Sequence, residues 1–166
     1  DLIPLLTSEG VSLTAYTKSN LSLTDHDAVK ACLNQATDAQ FVINCAAYTK
    51  VDDCETHKDL ANQINGDAVK NLAKICQTTG KTLIHFSTDY VFNGEKETPY
   101  LENDSTAPIN AYGQSKLLGE EAIITELDRY YILRVQWLYG EHGHHFIKTI
   151  LSLMESKPKL DIVDDQ

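Results

Sequence analysis

The sequence predicts an α/β protein whose parallel sheet is doubly wound with helices. Two observations predict it. Phe41-Val-Ile-Asn-Cys-Ala-Ala47 and Thr82-Leu-Ile-His-Phe-Ser87 are mostly apolar runs without a polar face, as expected of strands covered on both sides. Helix-periodic segments of ten or more residues separate such runs, which is the signature of βαβ units.

Taken in order, Leu2 to Glu9 reads as the end of a first helix, and Val11 to Tyr16 as a short strand. Thr24 is the expected N-cap of a second helix, with acidic residues in its first turn and apolar positions at Ala28, Val29, Ala31, Cys32 and Leu33. After the strand 41–47, a long helix is expected over about Cys54 to Thr79. Its stripe is Leu60, Ile64, Ala68, Leu72 and Ile75, and Gly80 stops it. The acidic Val51-Asp-Asp-Cys-Glu55 reads as a helix start. The strand 82–87 precedes a long loop marked by Asn93-Gly94, Pro99 and Pro108. A helix over about Asn110 to Glu126, a strand from Tyr130 to Val135, a helix near His145 to Glu155 and a strand from Leu160 to Val163 complete the pattern.

Composition bounds the function. The 166 residues suggest one domain. A net charge of −10 repels nucleic-acid phosphates, so no nucleic-acid partner is expected. No apolar run approaches the ~20 residues that span a bilayer, so no membrane partner is expected either. Cys32, Cys45, Cys54 and Cys76 form no Cys-x-x-Cys pair; Cys45 falls in a strand-like run and Cys76 on a helix stripe. Free thiols of that kind fit a reducing cytoplasm.

Parallel sheets bind ligands beyond the carboxyl ends of their strands. Three segments sit there: Ala46 to Thr49, Ser87 to Tyr90, and Trp137 to Gly140. Tyr112 and Lys116 are four apart on a predicted helix and so share a face. An ammonium beside a phenol lowers its pKa, and the phenol can then pass a proton to a carbonyl oxygen while a cofactor supplies hydride. The plainer reading of the spacing alone is a surface pair. Thr88 is placed to hydrogen-bond a substrate oxygen or the Tyr112 hydroxyl; its plainer reading is a turn in which Asp89 caps backbone amides.

Four stretches together carry a resemblance: Asn44-Cys-Ala-Ala-Tyr-Thr-Lys-Val-Asp52, His85-Phe-Ser-Thr-Asp-Tyr-Val-Phe92, Pro108-Ile-Asn-Ala-Tyr-Gly-Gln-Ser-Lys-Leu-Leu-Gly-Glu120 and Trp137-Leu-Tyr-Gly140. The chain resembles the dTDP-4-dehydrorhamnose reductases, a family of extended short-chain dehydrogenase/reductases. That resemblance implies a Rossmann-like NAD(P)-binding domain over 1–166, with 137–166 leading into the substrate-binding part. It implies reduction of the 4-keto group of dTDP-4-dehydro-L-rhamnose with NADPH or NADH. Tyr112 would be the proton donor, Lys116 its partner on the nicotinamide ribose, and Thr88 the third catalytic residue. Ala47, Tyr48, Thr49, Ser22 and Leu23 would line the cofactor, and Thr88, Asp89 and Trp137 the sugar nucleotide. It leaves Mg2+ dependence and a homodimer open. Two rivals stand beside it: a non-catalytic relative, such as the regulatory β subunit of methionine adenosyltransferase, and a reductase or epimerase of another nucleotide sugar.

The chain also departs from the family. No Gly-x-x-Gly-x-x-Gly turn occurs, the chain starts at Asp1, and it stops just after the last expected strand. The expectation is an incomplete fold, lacking the first strand and its glycine-rich turn, truncated at both ends and inactive alone. Gln136 stands where relatives often carry a small hydroxyl residue, and Ser22 where they commonly carry Asp. Thr17-Lys18-Ser19 offers no acid to the adenosine ribose while Lys18 can meet a 2′-phosphate, which predicts a preference for NADPH. His142-Gly-His-His145 lacks the converging ligands of a zinc site and is expected to lead into a helix, so no metal ligand is assigned.

Overall fold

In the computed structural model, residues 1–162 are described, and they divide into two units. One runs from Tyr16 to Arg134; the other joins Asp1–Ala15 to the segment from Val135 onward.

The larger unit holds the sheet. Strands β1 (Phe41–Asn44), β2 (Thr82–Thr88) and β3 (Tyr130–Val135) lie side by side in that order. β1 and β2 are parallel, with Phe41 opposite Thr82 and Asn44 opposite His85. The α/β class with an open parallel sheet is therefore as expected. Helix α2 (His26–Gln35) precedes β1, and α5 (Ala68–Thr79) precedes β2. Val29, Val69, Leu72, Ala73, Ile75 and Cys76 pack with Leu83 and with Ile123 of α6 (Ala111–Glu126). Gly80 ends α5 in the left-handed region at φ 68°, the conformation that favours glycine. The next residue, Lys81, is buried and donates to the carbonyls of Ala36 and Ala39, closing the end of α2 against the sheet.

The smaller unit contributes α1 (Leu2–Ser8) and α7 (Phe146–Ser156), whose N-cap His145 accepts from the Lys148 amide. No described helix is long and apolar enough to cross a membrane.

Several boundaries differ from the sequence expectation. Val11 to Tyr16 is irregular, because a strand needs a partner ladder and the described sheet offers it none. The N-cap of α2 is Asp25, which accepts from the Ala28 amide at 3.1 Å; the Thr24 hydroxyl is engaged with Ser22 instead. β1 stops at Asn44 because that side chain accepts from the Ala46 amide, turning the chain. Cys45 thus lies exposed beyond the strand. Leu160 to Ile162 form no strand, and Val163 lies outside the described residues.

The single helix expected over 54–79 is four pieces: α3 (Val51–Thr56), α4 (Lys58–Asn62), a π-helical turn (Gln63–Asp67) and α5. A π turn inserts residues into the α register and rotates the buried face. Ala68, Leu72 and Ile75 of the expected stripe are buried, whereas Leu60 is exposed and the buried positions before the turn are Ala61 and Asn65.

The π turn meets α6 at Gly119, where a Cβ would collide with the Asn65 carbonyl. Gly119→Ala should therefore cost about 1–3 kcal/mol of stability despite alanine's better helix propensity. Thermal unfolding of the two forms measures this, and an unchanged or raised Tm would contradict the close approach.

Candidate active site at the carboxyl end of β2

β2 leads directly into a 3-10 turn (Asp89–Val91). Thr88 caps that turn: its Oγ1 accepts from the Tyr90 amide at 3.2 Å and donates to Asp89 Oδ1 at 3.0 Å. Thr88, and not Asp89, is thus the residue that holds the backbone turn.

Helix α6 begins beside it. Asn110 accepts from the Gly113 amide at 2.7 Å, and Glu55 of α3 accepts from the Ala111 amide at 2.7 Å. These caps fix the first turn, which carries Tyr112. At Gly113 a Cβ would collide with the Tyr90 carbonyl, so glycine lets α6 lie against the 3-10 turn. The Tyr112 ring meets Tyr90 edge-on at 5.9 Å and packs beside Cys54, Ala61 and Tyr48. Burial pushes the Tyr112 phenol above its ordinary pKa, the Thr88 hydroxyl works against that, and Asp89, Cys54 and Tyr90 add to the rise.

Lys116 is one turn further along and buried. Its Nζ donates to the Phe86 carbonyl at 2.7 Å and lies 3.3 Å from His85 Nε2. Burial lowers its pKa to about 8, with Glu120 opposing. The expectation that Lys116 would lower the Tyr112 pKa is not met: the phenol is raised, and the lysine amine is committed to β2. Glu120 is itself buried and bound by Arg134 of β3, at 3.0 Å from Nε and 2.6 Å from Nη2.

Two further groups were not singled out from the sequence. His85 is fully buried, contacting Asn44 Nδ2 through Nδ1 at 3.0 Å; burial, with Lys116 beside it, lowers its pKa to about 3. Asn65, in the π turn, accepts from the Tyr48 amide at 2.8 Å. It also donates to the Tyr48 carbonyl at 3.0 Å and to Ser115 Oγ at 2.9 Å. Ser115 in turn donates to the Tyr112 carbonyl at 2.7 Å. One buried amide therefore ties the loop of Ala47, Tyr48 and Thr49 to the helix that carries Tyr112. The legible signals were a histidine inside an apolar strand and Asn65-Gly66 inside a helical pattern.

The remaining sequence candidates are placed as follows. Ala47 and Tyr48 are half-buried and Thr49 exposed, just past β1. Ser22 pairs with Thr24 at 2.9 Å, and the Leu23 side chain packs on the main core. Lys18 is exposed in the turn after Tyr16. Trp137 belongs to the smaller unit, where its ring meets Phe146 edge-on at 4.8 Å. Its φ of 49° is the left-handed region, a strained setting for a bulky side chain. His142 Nδ1 meets Asp1 Oδ1 at 2.6 Å with Glu141 adjacent, all exposed, and His145 caps α7.

The residues present fit a nicotinamide dinucleotide. Ser87 Oγ is buried without a partner among the described residues, beside Thr88 at the strand end. A buried hydroxyl left unpaired there is a place a polar ligand group would complete. The small residues after β1 leave the backbone approachable.

His85 also carries a pH dependence. The folded chain keeps the ring neutral down to about pH 3, while the unfolded chain protonates near 6.5. Below 6.5 the unfolded state binds more protons, so stability falls as pH falls. Denaturant unfolding at pH 6.5 and 5.0 should show the wild type losing about 2 kcal/mol more than His85→Gln; equal losses would exclude this source.

Comparison with known proteins gives the same picture. A family model described as the RmlD substrate binding domain matches residues 1–166. The dTDP-4-keto-6-deoxy-D-glucose reductase of Streptomyces niveus is 38% identical over all of this chain and 58% of its own length. A crystal structure of a dTDP-4-dehydrorhamnose reductase from Clostridium acetobutylicum is 39% identical, with TM-score 0.94 over 99% of this chain and 58% of that one. One from Bacillus anthracis in complex with NADP is 37% identical, with TM-score 0.90 over 94% and 55%. The chain thus spans little more than half the length of these relatives. With its motifs, sheet and capped catalytic-type helix all in the family's order, the chain belongs to the RmlD substrate binding domain family.

Proposed function

We propose that this chain is the catalytic and cofactor-binding portion of an NAD(P)H-dependent reductase of a dTDP-4-keto-6-deoxy sugar, with dTDP-4-dehydro-L-rhamnose as substrate and dTDP-L-rhamnose as product. The observation that carries the reading is the meeting of Tyr112 and Thr88 at the carboxyl end of β2, with Lys116 buried one helical turn behind. Family membership and the NADP bound by the Bacillus anthracis relative support it.

When bound, the nicotinamide cofactor supplies hydride. The chain supplies the rest. Tyr112 gives its proton to the developing alkoxide oxygen, and Thr88 holds that oxygen by a hydrogen bond. Lys116 holds the nicotinamide ribose. Ala47, Tyr48 and Thr49 line the cofactor, with Ser22 and Leu23 at its adenosine end. Asp89 and Trp137 bind the sugar nucleotide, and residues 137–166 lead into the substrate-binding part. The free thiols suit a cytoplasmic enzyme, and a homodimer is its assembly. The intact Thr88, Tyr112, Lys116 and Trp137 disfavour a non-catalytic relative. The Streptomyces niveus relative's different sugar keeps another dTDP-4-keto sugar as the second reading.

In the full-length protein, Tyr112→Phe should lower kcat for NADPH oxidation with the dTDP-4-keto sugar by about 10²–10⁴-fold while NADPH binding is retained. Turnover within tenfold of wild type would refute the acid role. Lys18, exposed in a segment without an acid, favours the 2′-phosphate. kcat/KM should therefore be higher with NADPH than NADH, and equal or better use of NADH would overturn that preference.

A further inference from the structure

Hydrogen-bond accounting around Lys116 leads past this reading, while resting on its assignment of Lys116 as the partner of Tyr112. The Ala46 amide can only donate, and Asn44 Oδ1 accepts from it at 3.0 Å. That fixes the orientation of the Asn44 amide, so Nδ2 is the atom 3.0 Å from His85 Nδ1. Nδ2 can only donate, so Nδ1 must accept. A neutral imidazole with an unprotonated Nδ1 carries its proton on Nε2, which faces Lys116 Nζ at 3.3 Å. Two donors cannot share that contact. The lysine must offer a lone pair to His85 while donating to the Phe86 carbonyl.

We infer that Asn44 and His85 form a tautomer-fixed pair that holds Lys116 as a neutral amine in the resting protein, making His85 a positioning residue for the catalytic lysine. An ammonium at Lys116 requires the ring proton to move to Nδ1, where it would confront the Asn44 amide. Relieving that clash means turning the amide over, which strips the Ala46 N–H of its acceptor at the start of the 46–49 loop. The charge of Lys116 is thereby coupled to the seating of the loop assigned to the cofactor.

The surrounding charges agree with this arrangement. From β2 only His85 faces the amine, and from its own helix Glu120 does, but that carboxylate is engaged by Arg134 of β3. Asp89 of the 3-10 turn and Cys54 of α3 face Tyr112. Burial holds Lys116 at about 8 and keeps His85 neutral through the whole range in which the lysine titrates.

The test uses the full-length protein labelled with ¹⁵N in histidine and lysine, and it requires no turnover. In the wild type at pH 7 the His85 ring should be protonated on Nε2; protonation on Nδ1 would overturn the inference. In Asn44→Asp the carboxylate still accepts from Ala46 but now also accepts from Nδ1, so the ring proton should move to Nδ1; retention on Nε2 would count against the pair. His85→Gln presents a carbonyl to an ammonium, so the Lys116 Nζ titration should rise by at least one pH unit, a tenfold gain in proton affinity. An unmoved titration, which a purely structural role for His85 predicts, would overturn it. Should Tyr112→Phe retain activity while these shifts occur, the proposed chemistry fails and the pair stands.

Discussion

A lysine amine buried between a helix and a sheet must be satisfied by groups that are themselves fixed, and Lys116 imposes that requirement on this structure. A long side chain loses about 2 kcal/mol of rotamer freedom when ordered, and an unpaired buried charge costs more. The Phe86 carbonyl and His85 supply the partners, both from β2. They can do so only if α6 lies close against the sheet and its neighbours. Gly113 and Gly119 allow that approach, because a side chain at either would strike the backbone of the 3-10 turn or the π turn. Glu120 and Arg134 then close the far side of the helix onto β3.

The π turn follows from the same constraint. A regular helix from 54 to 79 would present Leu60 and Ile64 on the face of Leu72, leaving Asn65 away from the interface. The inserted turn brings Asn65 inward, where it is fully buried and satisfied by Tyr48 and Ser115. An unsatisfied buried amide would cost about 1–3 kcal/mol, so a polar side chain specifies one register there. The helical irregularity and the seating of the Tyr48 loop are thus one feature seen from two sides.

This explains which parts were legible in the sequence. Apolar runs and helix periods located β2, α6, β3 and α7 to within a residue or so, because local pattern and tertiary demand agree there. They failed at Val11–Tyr16, where a strand depends on a partner, and across 51–79, where a tertiary hydrogen bond overrides the helical period. Tyr112, Lys116 and Thr88 were legible as residue types at telling spacings. His85 and Asn65 were not, since each takes its meaning from partners 31 to 50 residues away in sequence. No periodicity argument reaches those.

The electrostatics of Tyr112 reverse the simple expectation and suit the reductive direction better. A phenol raised above its ordinary pKa is fully protonated near neutral pH, which is the state a proton donor must start in. A neighbouring ammonium would pull the phenol toward phenolate before the carbonyl oxygen needs its proton. Keeping the lysine neutral and turned toward β2 avoids that loss. The acid is then strengthened only when Lys116 takes up a proton, and that event is tied through His85 and Asn44 to the loop beside the cofactor. Proton donation is thereby tied to the state of the cofactor loop rather than available at all times.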